Sequence, residues 1–214
     1  MKVYNQRVLP CLIHSVMNSR RLDAYRRRLA IQAKGVALEI GFGSGRNLPF
    51  YIPDQVERLY ALEPDANMLK LGQKDVSHAP FPIEILHCTA QHIPLPDRSI
   101  DTALCSWALC SVPDIRMALH EIRRVLKPDG YFAFCEHGLA SDPGVARWQQ
   151  KLTPMWSRFV GGCHLDRPID ELLRDSGFRI ARVENSYQSI VKPMSYMYEG
   201  LADLEGAKST ADAL

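Results

Sequence analysis

The chain has 214 residues, of which 46% are hydrophobic and 23% charged, a composition typical of one soluble globular domain with a full core. Its 26 Lys and Arg nearly balance 24 Asp and Glu, so the charge does not indicate a nucleic-acid partner. No run approaches the ~20 apolar residues that a membrane-spanning helix needs, and we therefore expect no membrane span.

The number and spacing of the cysteines indicate the redox environment of the protein. Six cysteines occur without a Cys-x-x-Cys pair, and several lie in apolar, strand-like runs where Cys behaves as a small hydrophobe: Cys11, Cys88, Cys105, Cys110, Cys135 and Cys163. The N-terminus shows no long apolar core or cleavage site of a signal peptide. We therefore expect reduced thiols and a cytoplasmic protein.

Residues 1–34 precede the first predicted strand and combine a short apolar stretch with an arginine-rich run over 20–28. We interpret them as one or two helices packed on the domain, with the arginines on a solvated face, or as a lid over a bound ligand. A basic surface that touches anionic lipid is a third interpretation. We favour the first two, because the apolar stretch is short and Pro10 interrupts it.

The stretch Val36–Arg46 organises the rest of the sequence. It begins as the apolar run of a buried parallel strand and then places glycine at 41, 43 and 45. Glycines at this spacing let the backbone turn sharply and pass close to a ligand. Glu39 lies at the carboxyl end of the strand, where open α/β sheets bind ligands.

A second strand over Val56–Glu63 ends in an acid about 20 residues after the glycines. In dinucleotide-binding folds an acid at this place binds the ribose hydroxyls, so Glu63 is a candidate ligand residue. Asn47 should open a helix directly after the glycine loop. Pro64 begins the next helix, and Met68 lies one turn into it, where it offers an apolar contact.

Further strands are predicted over 82–88, 99–106 and 131–135, with a helix capped by Asp114 before the last of them. Residues 138–167 exceed what a minimal sheet needs and are predicted to be an insertion, in which two Trp and one Phe suggest a hydrophobic pocket wall over a substrate. A helix over 168–176 ends at Gly177, and the segments 178–187 and 192–201 should form an antiparallel pair. We expect a frayed tail over 206–214.

The acid and three glycines of Glu-x-Gly-x-Gly-x-Gly resemble motif I of the class I S-adenosylmethionine-dependent methyltransferases. The resemblance covers residues 36 to about 200 and implies a Rossmann-like, doubly wound, mostly parallel seven-stranded sheet with a C-terminal antiparallel strand. It implies a methyltransferase domain over 35–205 and S-adenosyl-L-methionine as cofactor. The residues implied to bind it are Glu39, Gly41, Gly43, Gly45, Asn47, Glu63, Pro64, Met68, Ala90, Gln91, Ser106 and Trp107.

A narrower resemblance rests on Leu-Cys-Ser-Val at 109–112, Glu-His at 136–137, Trp-Gln-Gln at 148–150 and Gly-Cys-His at 162–164. This set is similar to the animal thiol S-methyltransferases and their small bacterial relatives. It implies a small, fairly apolar methyl acceptor, and a thiol is the first candidate. The implied acceptor contacts are Cys110, Trp148, Gln149 and Cys163. The alternatives are a phospholipid-amine or quinone-precursor methyltransferase and a non-catalytic S-adenosylmethionine-binding module.

A thiol attacks as the thiolate, so a base near the acceptor would raise the rate of transfer. His137 follows a strand at the functional edge and is the first candidate, with Glu136 orienting it or neutralising charge and His164 as the second candidate base. The Cys and His spacing matches no metal-ligand motif, and we expect no metal. Apart from the cofactor, the partner that we expect is a small-molecule methyl acceptor.

Overall fold

The computed structural model describes residues 9–207. Residues 1–8 of the predicted N-terminal segment and 208–214 of the predicted tail lie outside the described residues. Helices and strands alternate along most of the chain. The helices are α1 (Leu9–Met17), α2 (Asp23–Ala30), α3 (Ala66–Ser77), α4 (Ile115–Val125), α5 (Pro143–Phe159) and α6 (Ile169–Asp175).

Seven strands form one sheet in the order β3-β2-β1-β4-β5-β7-β6. All neighbours pair in parallel except β7, which is antiparallel to both β5 and β6. The predicted fold class is therefore confirmed. The strands are β1 (Gly35–Ile40), β2 (Val56–Leu62), β3 (Ile83–Leu86), β4 (Ile100–Ser106), β5 (Leu126–His137), β6 (Phe178–Tyr187) and β7 (Tyr196–Leu204).

The strand order places a switch point between β1 and β4. From β1 the chain moves outward to β2 and β3, then crosses back to β4 on the other side of β1. A crevice opens between the carboxyl ends of strands at such a point, and open α/β sheets bind their ligands there. The loops after β1, β2, β4 and β5 all reach this edge.

Apolar side chains cover both faces of the sheet. On one face, Leu119 and Ile122 of α4 pack against Phe132 and Phe134 of β5. On the other face, Leu29 and Ala30 of α2 join buried residues of β1, β4 and β5. Two covered faces explain why the central strands are apolar along their length, and the strand ends are left as the place for polar side chains.

Several boundaries differ from the predictions. The helix predicted from Asn47 is a single 3-10 turn over Leu48–Phe50, because Pro49 and Pro53 remove backbone donors that an α-helix would need. β5 begins at Leu126 and not at Tyr131, with a register shift opposite Ile100 and Thr102. Much of the predicted insertion over 138–167 is α5. Asp114 caps α4 as predicted, accepting from Met117 N.

No helix among residues 9–207 combines the length and apolar character needed to cross a bilayer.

Gly72 fixes α3 against the glycine loop. A Cβ at this position would lie 2.6 Å from the backbone oxygen of Ser44, so the helix can approach only without a side chain. In a free helix Gly→Ala stabilises by about 1 kcal/mol. Here the overlap with backbone should outweigh that gain, since overpacking costs about 1–3 kcal/mol.

We therefore expect Gly72→Ala to lower the free energy of unfolding, measured by urea denaturation. Gln73→Ala, at the next and exposed position of the same helix, is the matched control and should change little. An unchanged or raised stability of Gly72→Ala would show that the loop can move away from the helix.

Candidate functional site

The glycine loop after β1 adopts backbone angles that favour glycine. Gly41, Gly43 and Gly45 have φ of 72°, 59° and 72°, which residues with a Cβ rarely adopt. Gly41 N and Phe42 N both donate to Leu62 O at 3.0 Å and hold the loop beside the end of β2. A Cβ on Gly41 would lie 2.3 Å from Ala108 Cβ, so this glycine also permits contact with the loop after β4.

Glu39 is buried beneath this loop, with 1% of its surface exposed. Its Oε1 accepts from Asn47 Nδ2 at 2.8 Å and its Oε2 from the Tyr51 hydroxyl at 2.7 Å. Burial raises the pKa of Glu39 to about 7, although both hydrogen bonds oppose that shift. The site therefore contains an acid that can gain or lose its proton near neutral pH.

Glu63 joins two segments of the predicted cofactor site. Its Oε2 accepts from Gly43 N at 2.8 Å, and its Oε1 accepts from Asp65 N at 2.9 Å, just before α3. Burial raises the pKa of its carboxyl group, and the two backbone donors partly offset the shift. Glu63 therefore holds the glycine loop in position from the end of β2.

The other residues predicted around the nucleoside line the same edge. Met68 is half-buried, and its Cε lies 3.4 Å from where a Cβ on Gly43 would be, whereas Pro64 is exposed. Ala90 is buried and Gln91 half-buried in the loop after β3.

Helix α4 holds that loop after β3. Ile93 N donates to Glu121 Oε2 at 2.9 Å, and Arg124 Nη2 donates to Ile93 O at 2.8 Å. Arg124 also pairs with Glu121 through its Nε, at 2.7 Å. The loop that carries Ala90 and Gln91 is thus fixed by a charged pair on a neighbouring helix.

At the end of β4, Ser106 Oγ accepts from Asn47 Nδ2 at 3.1 Å. The next residue, Trp107, has φ of 52°, a left-handed conformation that is an outlier for so bulky a residue. Trp107 N donates to Cys135 O at 3.0 Å, and this bond holds the turn against β5. Such strain persists only where the surroundings impose it, and it often marks a functional site.

The N-terminal helices cover this edge. His14 Nδ1 lies 2.8 Å from Ser44 Oγ in the glycine loop. Arg26 lies over the Trp107 ring at 5.3 Å and donates to Met17 O. Only 3% of Arg26 is exposed, so the expectation that the arginines occupy a solvated face is wrong for this residue. Its guanidinium packs inside the segment because Trp107 and Met17 O provide partners.

Glu136, which was predicted to orient His137 or to neutralise charge, is completely buried. Its Oε1 accepts from Ala108 N at 3.0 Å. Burial raises the pKa of this carboxyl group. Glu136 therefore anchors the loop after β4, the same loop that Gly41 contacts.

Three predicted site residues from distant segments meet at the end of β5. The ligand-type atoms of Cys110, His137 and Cys163 are buried and lie within 4.8 Å of one another. Cys163 Sγ is 3.9 Å from His137 Nδ1. The Cys110 thiol lies 3.8 Å from Trp107 O, and its interaction with Cys163 is the main cause that raises the pKa of Cys110 and lowers that of Cys163. We refer to these three residues as the Cys-His-Cys cluster.

The remaining predicted residues lie outside this cluster. His164 is 42% exposed, with its Nδ1 3.8 Å from Asp166, and burial lowers its pKa. Trp148 is 60% exposed on α5. The Gln149 amide is fully buried and donates to Gly138 O and Pro193 O, at 2.9 and 3.1 Å, while accepting from Ala140 N. Both Gln149 amide hydrogens are thus used for holding backbone.

Sequence reasoning missed four residues that shape the site. Gly72 packs α3 against the glycine loop, Tyr51 donates to Glu39, and Arg26 is buried beside Trp107. Arg167 donates to Leu109 O and to Val112 O, the latter at 2.7 Å, on either side of Cys110. A glycine inside a helix pattern was the one usable signal, since the partners of the other three come from remote segments.

Comparisons with known proteins show the family of this chain. A family described as "Methyltransferase domain" matches residues 38–134. The chain is 32% identical over 179 residues to the Thiol S-methyltransferase TMT1B of Rattus norvegicus, covering 77% of this chain and 72% of that protein. It is 38% identical over 85 residues to the demethylmenaquinone methyltransferase of Listeria monocytogenes, covering 39% and 35% of the two proteins.

The fold has close structural neighbours. One is the crystal structure of a SAM-dependent methyltransferase from Aquifex aeolicus, with a TM-score of 0.64 at 20% identity. The match covers 90% of this chain and 97% of that one. At this identity the likeness concerns the fold.

The raised pKa of Glu39 predicts how stability depends on pH. Below about pH 4.5 Glu39 is protonated in both states, and above about pH 7 it is ionised in both. Between these limits only the unfolded chain loses the proton, so the free energy of unfolding falls as pH rises. A shift of this size corresponds to about 3 kcal/mol.

We expect Glu39→Gln to remove this part of the pH dependence. In urea unfolding at pH 5 and pH 8, the free energy of unfolding of the variant should rise relative to that of the parent at the higher pH. Glu57→Gln, an exposed position on β2, is the control. An identical pH dependence in parent and Glu39→Gln would contradict the assignment.

Proposed function

We propose an acceptor for this protein on one premise: the chain belongs to the class I S-adenosylmethionine-dependent methyltransferases. It is therefore an enzyme, and its cofactor is S-adenosyl-L-methionine. We propose that it transfers the methyl group to the sulfur of a small, fairly apolar thiol. The observation that carries this proposal is the Cys-His-Cys cluster, which lies at the carboxyl edge and includes Cys110 from the loop that meets Gly41.

The proposed cofactor site extends from β1 to β4. Glu39, beneath the glycine loop, provides a carboxylate for the ammonium group of the methionyl part. Glu63 is positioned for the ribose hydroxyls, since each of its oxygens has one backbone donor and retains a second lone pair. Met68, Ala90 and Gln91 border the space proposed for the adenine.

The proposed acceptor side begins where the cofactor side ends. Ala108 contacts Gly41, and Cys110 follows two residues later in the same loop. This short connection supports a methyl group that leaves the cofactor close to the Cys-His-Cys cluster. Relatives named thiol S-methyltransferases, which match 77% of this chain in the rat protein, support sulfur as the acceptor atom.

The chemistry requires loss of the thiol proton before attack. A lone pair of the acceptor thiolate forms the new S–C bond while the C–S bond of the sulfonium breaks, and the two products are a methyl thioether and neutral S-adenosylhomocysteine. The enzyme must align the three atoms and exclude water. We propose that the acceptor thiol loses its proton beside His137, within the cluster.

The N-terminal helices are proposed to close the site. His14 contacts Ser44 of the glycine loop, and Arg26 covers Trp107, so α1 and α2 lie over both halves of the edge. Arg28 joins this cover to the sheet through a bidentate pair with Glu199, at 2.6 and 2.8 Å. These contacts support the interpretation of this segment as a lid more directly than its interpretation as a lipid-binding surface.

A quinone precursor is the second candidate acceptor. It is favoured by the likeness to the Listeria demethylmenaquinone methyltransferase, which is limited to 39% of this chain. That match is shorter than the match to the thiol S-methyltransferases, and no feature of the Cys-His-Cys cluster is specific to a quinone.

The acceptor class can be tested with labelled S-adenosylmethionine and a matched panel of an alkyl thiol, the corresponding alcohol and amine, a demethylated quinone analogue and an ethanolamine phospholipid. We expect label in the thioether at a rate well above the other products. Transfer to the quinone analogue or the amine, with none to the thiol, would overturn the thiol proposal.

His137→Ala should lower kcat for thiol methylation by about 100-fold, because proton removal contributes this much or more in comparable sites. Its affinity for S-adenosylhomocysteine, measured by calorimetry, should stay within about twofold of the parent. His164→Ala is the matched control, since that side chain lies outside the cluster. An unchanged kcat in His137→Ala would reject the role.

Glu63→Gln should weaken S-adenosylhomocysteine binding by about tenfold, or ~1.4 kcal/mol, because the amide loses charge and can accept at only one of its two positions. Calorimetry measures this directly, with Glu57→Gln as the control on the same strand. Equal affinity in Glu63→Gln and parent would show that this side chain does not contact the cofactor.

A further inference from the structure

The Cys-His-Cys cluster has the composition and spacing of a metal site. Its members come from the loop after β4, the end of β5 and the loop after α5, so no sequence spacing indicates them. The ligand-type atoms lie within 4.8 Å of one another and are buried. In a tetrahedral zinc site, Zn–S bonds of ~2.3 Å and Zn–N bonds of ~2.0 Å place ligand atoms about 3.5–3.8 Å apart.

The observed separation fits this requirement. Cys163 Sγ and His137 Nδ1 are 3.9 Å apart, close to the edge of such a tetrahedron. His137 Nδ1, which faces Cys163, is the ligand atom that this distance indicates.

Backbone contacts hold the two cysteine loops together. His164 N donates to Cys110 O at 2.8 Å, and Arg167 holds the carbonyl oxygens of Leu109 and Val112. Gly162, with φ of 82°, lets its loop approach Ser111 O, which a Cβ would meet at 3.3 Å. Both cysteines thus occupy fixed positions before any ion binds, as a preformed site requires.

The geometry points to a Zn²⁺ ion bound by Cys110, His137 and Cys163. Two thiolates and one imidazole suit zinc, and a site with three protein ligands keeps a fourth position open for a substrate. This inference rests on the proposed function: the acceptor thiol binds at the open position. It binds as the thiolate and releases its proton to water, and the methyl group is then transferred to that sulfur. With the ion bound, His137 acts as a ligand and the ion takes the place of a general base, so the lower kcat expected for His137→Ala should then be accompanied by loss of zinc.

Metal content tests the site without reference to activity. The reduced full-length protein, loaded with ZnCl₂ and passed into metal-free buffer, should retain about one zinc per chain by mass spectrometry. Cys163→Ser and Cys110→Ser should each reduce the retained zinc about tenfold or more. Cys11→Ser, an exposed cysteine on α1, is the matched control and should retain the parental amount.

Cobalt gives a second readout. Co²⁺-loaded parent protein should show thiolate-to-metal charge-transfer absorption and the visible bands of a tetrahedral ion, both reduced in Cys163→Ser. Binding of S-adenosylhomocysteine confirms that each variant is folded. If the folded, reduced parent retains no more zinc than Cys163→Ser, the metal site is rejected. Recovery of a Cys110–Cys163 disulfide with no zinc in the reduced form would also reject it.

The metal site and the thiol proposal can fail separately. If zinc-free protein, kept with a chelator, methylates the thiol at the full rate, the metal inference is wrong and the proposed function stands. If zinc is retained by all three ligands but no thiol is methylated, the site stands and the proposed acceptor is wrong. We expect chelation to lower the rate at least tenfold and added zinc to restore it.

Discussion

The contact between Gly41 and Ala108 is the constraint on which the rest of the site depends. A side chain on Gly41 would lie 2.3 Å from Ala108 Cβ, so the loop after β1 can meet the loop after β4 only because this position is glycine. The first loop belongs to the proposed cofactor half of the site, and the second carries Cys110. The two loops come from different parts of the sequence, and their approach at the switch point of the sheet joins them into one proposed site.

Buried carboxyl groups maintain this arrangement from three strand ends. Glu39 is held by Asn47 and Tyr51, Glu63 holds Gly43 N and Asp65 N, and Glu136 holds Ala108 N. Burial raises the pKa of all three, and each hydrogen bond offsets part of that cost. The same groups that order the loops would therefore set the charge at the proposed cofactor site.

The proposed acceptor side is built differently from the proposed cofactor side. Its residues lie on segments separated by more than twenty positions, and backbone contacts from Arg167 and Gly162 bring them together. Sulfur and imidazole at such an edge suit an acceptor or an ion with affinity for sulfur. The likeness to thiol S-methyltransferases and the chemistry of this cluster support the same class of acceptor.

The sequence by itself determined the fold class, and it placed the residues of the proposed cofactor half at one edge of the sheet. Glu39, the three glycines and Glu63 lie at the ends of two apolar strands, and parallel strands bring their carboxyl ends to one edge whatever the remaining contacts are. Only the tertiary structure decided that Arg26 is buried, that Gln149 binds backbone, and that Cys110, His137 and Cys163 meet. Periodicity indicates which face of an element is covered, but it does not specify which distant segments provide the cover.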